Sequence, residues 1–329
     1  MKLVRRQNYF HTNAVRHAFG SHKGPSELLP SNRNERAGIT LISEKTSIFA
    51  NVKRGITREV CQDTLILYRS DSLTVLGIFD GLGPAGHEWS ELMGRGVLQI
   101  CAENEGQIAR RLNGREIIIQ VANDVRSVLG KEHDSGTTAT LAVLEKGMRY
   151  SIAAVGDSPA FIREGNTVSR VFRNGLVFVD VSKKKPHGPR ILAIDVKKAK
   201  INFLDYSTMR QQIEHGITRT EWHLGPVEMR NGRLARGGSI IIMSDGISNN
   251  LKLGTDGEGN VQTTDGCKDL QEITTGESYA DDIGEKIAAE ARKRTVSFSW
   301  PAFRPLVAKD HVICAEDDDQ SVAVVTYSG

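Results

Sequence analysis

Residues 73–90 read LTVLGIFDGLGPAGHEWS, and the rest of the chain is organised around them. The run from Leu73 to Phe79, rich in Leu, Val and Ile, reads as a buried strand that ends at Asp80. The corner that follows carries Gly81, Gly83, Pro84 and Gly86, so the backbone can turn sharply and approach a ligand closely. His87 to Met93 then opens a helix. A carboxylate at a strand end, followed by backbone without side-chain bulk, suits a hard cation: the carboxylate supplies one oxygen and a neighbouring carbonyl another. An Asp-Gly corner alone is more often only a turn. The cation reading therefore depends on other strand-end carboxylates joining it.

Working outward, Thr64 to Tyr68 is another strand, and the short loop at Ser70-Asp71-Ser72 makes 63–69 and 73–79 an antiparallel hairpin. Strands are expected earlier at 39–43 and 46–52. Helices are expected at 87–101 and 114–129; the second carries Ile117, Ile118, Val121, Val125, Val128 and Leu129 at near-helical spacing before Gly130. Strands then follow at Ser135–Leu144, Met148–Val155 and Ala160–Arg163, the first two joined by a turn at Lys146-Gly147. This is a meander of antiparallel strands, not an alternation of strand and helix. Ser239 to Ser244 is a strand ending at Asp245-Gly246, Tyr279 to Arg294 an amphipathic helix, and Ser321 to Tyr327 the last strand. The expected class is α+β, with two facing antiparallel sheets flanked by helices. Residues 1–38 are expected to form a loosely ordered basic arm, and 39–329 a single domain with insertions at 165–238 and 251–278.

Bulk properties narrow the function. Hydrophobic content of 39% with 25% charged residues is that of a soluble globular chain. A net charge of +3 gives no ground for a nucleic-acid partner, and no apolar run is long enough to span a bilayer. Cys61, Cys101, Cys267 and Cys314 lie far apart, which argues against a zinc site and fits a reducing compartment. A cytoplasmic monomer is expected. The basic residues Lys2, Arg5, Arg6, Arg16 and Lys23 read as a frayed arm, with organelle targeting left open.

Three carboxylates sit at strand ends: Asp80, Asp245 and Asp318. If those strands lie in facing sheets with their ends together, the three converge on one cleft. Such a cluster repels itself, and divalent cations are its natural neutraliser, with oxygen-only ligands favouring Mg²⁺ or Mn²⁺. Within the acidic run Asp317 and Asp319 are alternatives to Asp318. Ser135-Gly136-Thr137-Thr138 reads as a bend entering a strand rather than a nucleophile site. The glycine corner is no nucleotide-phosphate loop, since it lacks the Gly-Lys-Ser/Thr ending.

Six pieces of the chain, in order, resemble the metal-dependent protein phosphatases of the 2C type: Arg58–Asp63, Phe79–His87, Ser135–Ala139, Val155–Ala160, Met243–Ile247 and Asp318–Val325. The resemblance spans about residues 58–326. It implies an α-β-β-α sandwich with a two-metal site at one edge. By position, Asp80 would bridge both cations, the Gly81 carbonyl would ligate one, and Asp245 and Asp318 would complete the inner ligands. Asp63 matches the aspartate that holds metal-bound water, Arg58 the phosphate-binding arginine, and Asp157 a residue of a third, weaker metal site. The implied activity is hydrolysis of phosphoserine or phosphothreonine in a protein substrate, by water activated between two Mg²⁺ or Mn²⁺ ions. Taken alone, Asp63 is equally a turn cap, Arg58 a surface arginine and Asp157 a hairpin residue.

The chain departs from the family at several positions. Many members have a histidine after Asp-Gly, credited with protonating the leaving group; here it is Leu82. The Asp-Gly-Leu-Gly corner resembles the bacterial stress and sporulation branch, whose active members lack that histidine. Gly83 to His87 resembles the plant and protist branch, and His87 is either a substitute acid or a surface residue. Asn249 stands where many relatives have aspartate, Pro159 where they have arginine, and Gln62 where animal members have glutamate. A slow phosphatase is the leading expectation. Its rival is a disabled relative that binds phosphoproteins as a regulatory module.

Overall fold

Two-residue alternation of apolar side chains builds two antiparallel sheets, and the same alternation decides what stands at their ends. The structure is a computed structural model and describes residues 26–29, 36–42, 45–55, 60–82, 85–129, 135–156, 158–172, 179–180, 185–186, 227–251, 253–255, 261–263, 266–297 and 318–329. In chain order the first elements are β1 (Ser26–Leu29), β2 (Arg36–Ile42), β3 (Thr46–Lys53), β4 (Asp63–Arg69), β5 (Leu73–Leu82), α1 (Gly86–Arg111) and α2 (Gly114–Leu129). Next come β6 (Gly136–Thr137), β7 (Ala139–Glu145), β8 (Arg149–Val155), β9 (Ala160–Glu164), β10 (Thr167–Arg170), β11 (Val179–Asp180), β12 (Lys185–Pro186), β13 (Glu228–Arg233) and β14 (Ser239–Met243). The last are α3 (Asp245–Leu251), β15 (Leu253–Thr255), β16 (Val261–Thr263), α4 (Gly266–Thr274), α5 (Ala280–Ser297) and β17 (Gln320–Tyr327).

The first sheet has the order β1-β4-β5-β7-β8-β13, with β6 pairing the end of β5; the second has β10-β9-β14-β17-β3-β2. Three apolar layers hold them. Leu65, Leu67, Leu76 and Ile78 of the first sheet meet Ile48, Ala50, Ile240, Ile242, Ala323 and Val325 of the second. The opposite face of the first sheet, including Ile66, Val75 and Phe79, packs on Trp89, Met93 and Val97 of α1 and Ile118 and Val121 of α2. The outer face of the second sheet, including Phe49, Ile241 and Val324, packs on Ile247 of α3, Leu270 of α4 and Ile283 and Ile287 of α5. The result is the expected α-β-β-α sandwich.

Several boundaries differ from the sequence reading. β5 continues past Asp80 to Leu82, because Gly81 and Leu82 pair with Thr137 and Gly136 of β6. α1 runs on to Arg111 through a kink at Asn104 (φ −124°, ψ 21°). Only Ile108 is buried beyond the kink, so the apolar periodicity that marks a helix fades there. Inside the segment read as a loose arm, Ser26–Leu29 pairs with β4, and β2 begins at Arg36. Both ends of the supposed 165–238 insertion belong to the sheets, since β10 pairs with β9 and β13 with β8. Leu270, in the supposed 251–278 insertion, is buried under the second sheet.

α5 lies close enough to the second sheet that Gly284 touches the Phe49 ring: a Cβ there would overlap ring carbons. Gly284→Ala is therefore expected to lose about 1–3 kcal/mol of stability through overpacking. Urea denaturation measures it, and Phe49→Leu in the same chain should recover part of the loss.

Candidate metal centre

The inter-sheet core ends in acid. On β4 the inward row Leu67, Leu65 continues to Asp63, and on β5 the row Leu76, Ile78 continues to Asp80. These two aspartates are directly opposed across the β4–β5 ladder, so their side chains share one face. On the facing sheet the row Val325, Ala323 of β17 continues to Ser321 and then Asp319, while Ile240 and Ile242 of β14 lead to Ser244. Asp245 starts α3 immediately after Ser244, and Asp318 precedes β17.

This placement is electrostatically unfavourable. Asp63 is buried, and neither of its carboxylate oxygens has a hydrogen-bond partner of normal geometry. Desolvation, with the charges of Asp319 and Asp318, holds its carboxyl well above the ordinary carboxylate range; the hydroxyls of Ser321 and Ser244 act the other way. Those hydroxyls face the carboxyl without making well-formed bonds to it, and Ser321 Oγ itself has no partner. Asp80 keeps some surface open to the cleft, but its carboxyl is likewise pushed up, by desolvation first and then by Asp245, Asp63 and Asp318.

The backbone around Asp80 is framed by hydroxyls that the sequence reading took for a mere bend. Thr138 Oγ1 accepts the Asp80 N–H at 3.0 Å, and Thr137 Oγ1 donates to the Asp80 carbonyl at 3.0 Å. Thr138 also shares a 2.8 Å hydrogen bond with Ser158, whose carbonyl accepts Thr140 Oγ1 at 2.6 Å. Ser135 Oγ accepts the N–H of Ala85 at 2.9 Å, which ties the glycine corner to the same strand. The signal was present in the density of hydroxyls beside a buried strand, but only the fold aims them at Asp80.

Two glycine contacts set the spacing of the cleft. A Cβ on Gly81 would overlap the Gly86 carbonyl and lie 2.7 Å from the Gln62 carbonyl, so the corner closes backbone on backbone. A Cβ on Gly246 would overlap the Asp319 carbonyl, so Gly246 lets the first turn of α3 sit against residues 318–319. Asp245 and Asp318 are thereby brought within electrostatic reach of Asp80. Asn249 Nδ2 donates to Asp245 Oδ2 at 3.4 Å, so position 249 adds a donor beside the acidic cluster rather than a further acid.

The acidic run divides its work. Asp319 is buried with both oxygens on backbone amides, those of Gly55 at 2.8 Å and Gln62 at 2.5 Å. Asp318 is half-buried, and its Oδ1 accepts the N–H of Asp319 at 2.9 Å. Asp317, Arg58 and Asp157 lie outside the described residues, as do Gly83 and Pro84 of the corner. His87 sits on the first turn of α1 with Nε2 3.9 Å from Glu88 Oε1, a surface contact.

Among the described residues, no three acidic, histidine or cysteine side chains are arranged as a ready-made cation cage. The donor chemistry still fits a hard divalent cation. The groups are all oxygens, and a buried carboxylate without partners is a high-energy state that a cation relieves. No helix of the described residues is long and apolar enough to cross a membrane.

No protein-family model matches the chain, and no curated protein matches it in sequence. Among solved structures it is similar to a bacterial serine phosphatase carrying an arginine-to-alanine substitution, at a TM-score of 0.51 and 13% identity, over 86% of this chain and 98% of that one. It is also similar to the S. agalactiae serine/threonine phosphatase, at a TM-score of 0.50 and 16% identity, over 85% and 99%. A structure of the PP2C phosphatase domain and part of the regulatory domain of SpoIIE from Bacillus subtilis matches at a TM-score of 0.48 and 15% identity, over 87% of this chain; the chain spans 64% of that one. The architecture, two antiparallel sheets between helices, is the fold of the two bacterial phosphatases it matches at TM-scores of 0.50 and 0.51.

The raised carboxyls predict an inverted pH dependence. From the ordinary value of 3.8 upward, the folded chain holds protons on Asp63 and Asp80 that the unfolded chain has released. Their contribution to stability is therefore present in acid and falls as pH rises through that window. In chelator, Asp63→Asn should melt above wild type at pH ~7, and the gap should close toward pH ~4, where unfolded carboxyls also become protonated. Thermal melts in EDTA check this, and a variant that melts below wild type at neutral pH removes the buried-charge account.

Proposed function

We propose that the chain is a metal-dependent serine/threonine phosphoprotein phosphatase, hydrolysing phosphomonoesters at the acidic end of the inter-sheet core. The observation that carries this reading is Asp63: a buried carboxylate with no hydrogen-bond partner, opposed by Asp80 and facing Asp318 across the cleft. Without a bound cation the arrangement is relieved only by protonation; a divalent cation relieves it with the carboxylates ionised.

In this reading Asp80, Asp245, Asp318 and the Gly81 carbonyl hold two Mg²⁺ or Mn²⁺ ions, with Asp63 behind them and Asp157 at a third, weaker site. Bound cations supply an acidified water and offset charge on the phosphoryl oxygens. The remaining work belongs to the chain. Arg58 grips the phosphate with its planar fork. Thr137 and Thr138 hold the Asp80 backbone from both sides, which keeps its carboxylate aimed while charge changes around it. Proton delivery to the leaving group is the weak point: Leu82 has no proton to give, and His87 is engaged with Glu88 at the surface.

A second reading, a phosphoprotein-binding module on a disabled phosphatase, is favoured by Leu82 and Asn249. Mn²⁺-dependent hydrolysis of para-nitrophenyl phosphate and a phosphothreonine peptide separates the two. Asp80→Asn should abolish turnover of both. A positioned general acid contributes roughly 10²–10⁴-fold, and para-nitrophenolate leaves without a proton. Leu82→His should therefore accelerate the peptide far more than the aryl ester. A silent wild type that gains activity in Leu82→His would establish the binding module instead.

A further inference from the structure

Asp319 is the one described side chain whose carboxylate is bonded to the backbone just beyond a strand of each sheet. Its Oδ1 accepts the N–H of Gly55, two residues past the end of β3 in the second sheet. Its Oδ2 accepts the N–H of Gln62, the residue before β4 in the first sheet. The carboxylate is thus a bridge between the two sheets at the cleft, with bond lengths of 2.8 and 2.5 Å and charge-assisted character.

The bridge is itself held still. Ser244 Oγ donates to the Asp319 carbonyl at 3.3 Å and accepts the Ser321 N–H at 2.9 Å. Gly246 packs against the same carbonyl without a side chain between them. Asp319 therefore has its backbone fixed to the start of α3 and its side chain fixed to the start of β4. Asp63, the first residue of β4, directly follows one of the clamped amides.

We infer that Asp319 is a positioning residue for the cation site, acting through Asp63: its carboxylate sets how deep the start of β4 sits against Asp318 and Asp245. Each of its oxygens already accepts a backbone amide, which ties this carboxylate to the main chain of both sheets. This inference rests on the phosphatase reading for the presence of a cation, but not on turnover. The contact from the Asp319 N–H to Asp318 is a backbone contact and survives any side-chain change. A substitution at position 319 therefore tests the β4 clamp and leaves Asp318 held.

The experiment is Mn²⁺ calorimetry on the full chain in a four-variant cycle of wild type, Asp319→Ala, Asp63→Asn and the double variant. Loss of a group that orients an inner ligand weakens metal affinity by about 10–100-fold, and this is expected of Asp319→Ala. In the Asp63→Asn background the further loss should shrink below about twofold, because the residue it acts through is already disabled. Hydrogen exchange at the Gly55 and Gln62 amides should accelerate in Asp319→Ala while the bulk of the β-sheet amides remain protected.

Asp319→Asn guards against misfolding. It keeps one acceptor and turns an N–H donor toward the second amide, so it should fall between wild type and Asp319→Ala in affinity. Equal losses in both Asp63 backgrounds would make Asp319 act independently of Asp63, as a direct ligand does, and unchanged exchange at Gly55 and Gln62 would remove the clamp; either result overturns the positioning role. Mn²⁺ binding by wild type with full affinity in Asp319→Ala would overturn it alone. No Mn²⁺ binding by wild type would overturn the cation reading itself, and the role with it.

Discussion

The constraint on which the structure turns is the burial of like charge at the end of an otherwise apolar layer. Leu65, Leu67, Leu76 and Ile78 remove water from between the sheets, and Asp63 and Asp80 stand where those rows terminate. The same packing that stabilises the sandwich also strips solvent from the carboxylates, so core and site cannot be optimised separately. Hydrophobic burial across three layers offsets the electrostatic strain. The strain lies at one edge, where the second sheet answers with hydroxyls at Ser244 and Ser321.

Around that edge the chain uses backbone instead of side-chain bulk. Gly81 against Gly86, and Gly246 against the Asp319 carbonyl, are contacts in which a methyl group has no room. Each fixes a close backbone approach beside an aspartate, Asp80 in the first case and Asp245 in the second. Hydrogen bonds then lock what the glycines bring together. Thr137 and Thr138 bracket Asp80, and Asp319 spans from one sheet to the other. A site built this way is limited by how well the sheets are registered, not by side-chain rotamers alone.

Much of this was legible in the sequence because alternation and turn chemistry are local. The β4–β5 hairpin follows from two apolar runs around Ser70-Asp71-Ser72, and its register already opposes Asp63 to Asp80. The sandwich follows from a meander with helices in two groups. The division of labour within Asp318-Asp319 was not legible. Two adjacent aspartates are equivalent on paper, and only the positions of Gly55 and Gln62, 264 and 257 residues away, make one a clamp. Nor could spacing show that Ser135, Thr137 and Thr138 serve Asp80, since that contact needs β6 to fold onto the end of β5. The extension of α1 to Arg111 escaped for a different reason: its last turns bury almost nothing, so they carry no apolar signature.

The four-residue acidic run Glu316–Asp319 ends in two aspartates that the fold treats differently. Placing the amide-binding carboxylate at 319, in line with Ser321 and Ala323 on the inward row, buries it against the start of β4. Both residues precede the strand; the neighbour at 318 falls on the opposite phase and is half-buried, and its charge still reaches Asp63 and Asp80. Two-residue periodicity therefore separates the two: the carboxylate in register with the inter-sheet core is the one held on backbone amides. Exchanging the two by a one-residue slip of β17 would turn every inward side chain of that strand outward, so the assignment is protected by the whole core.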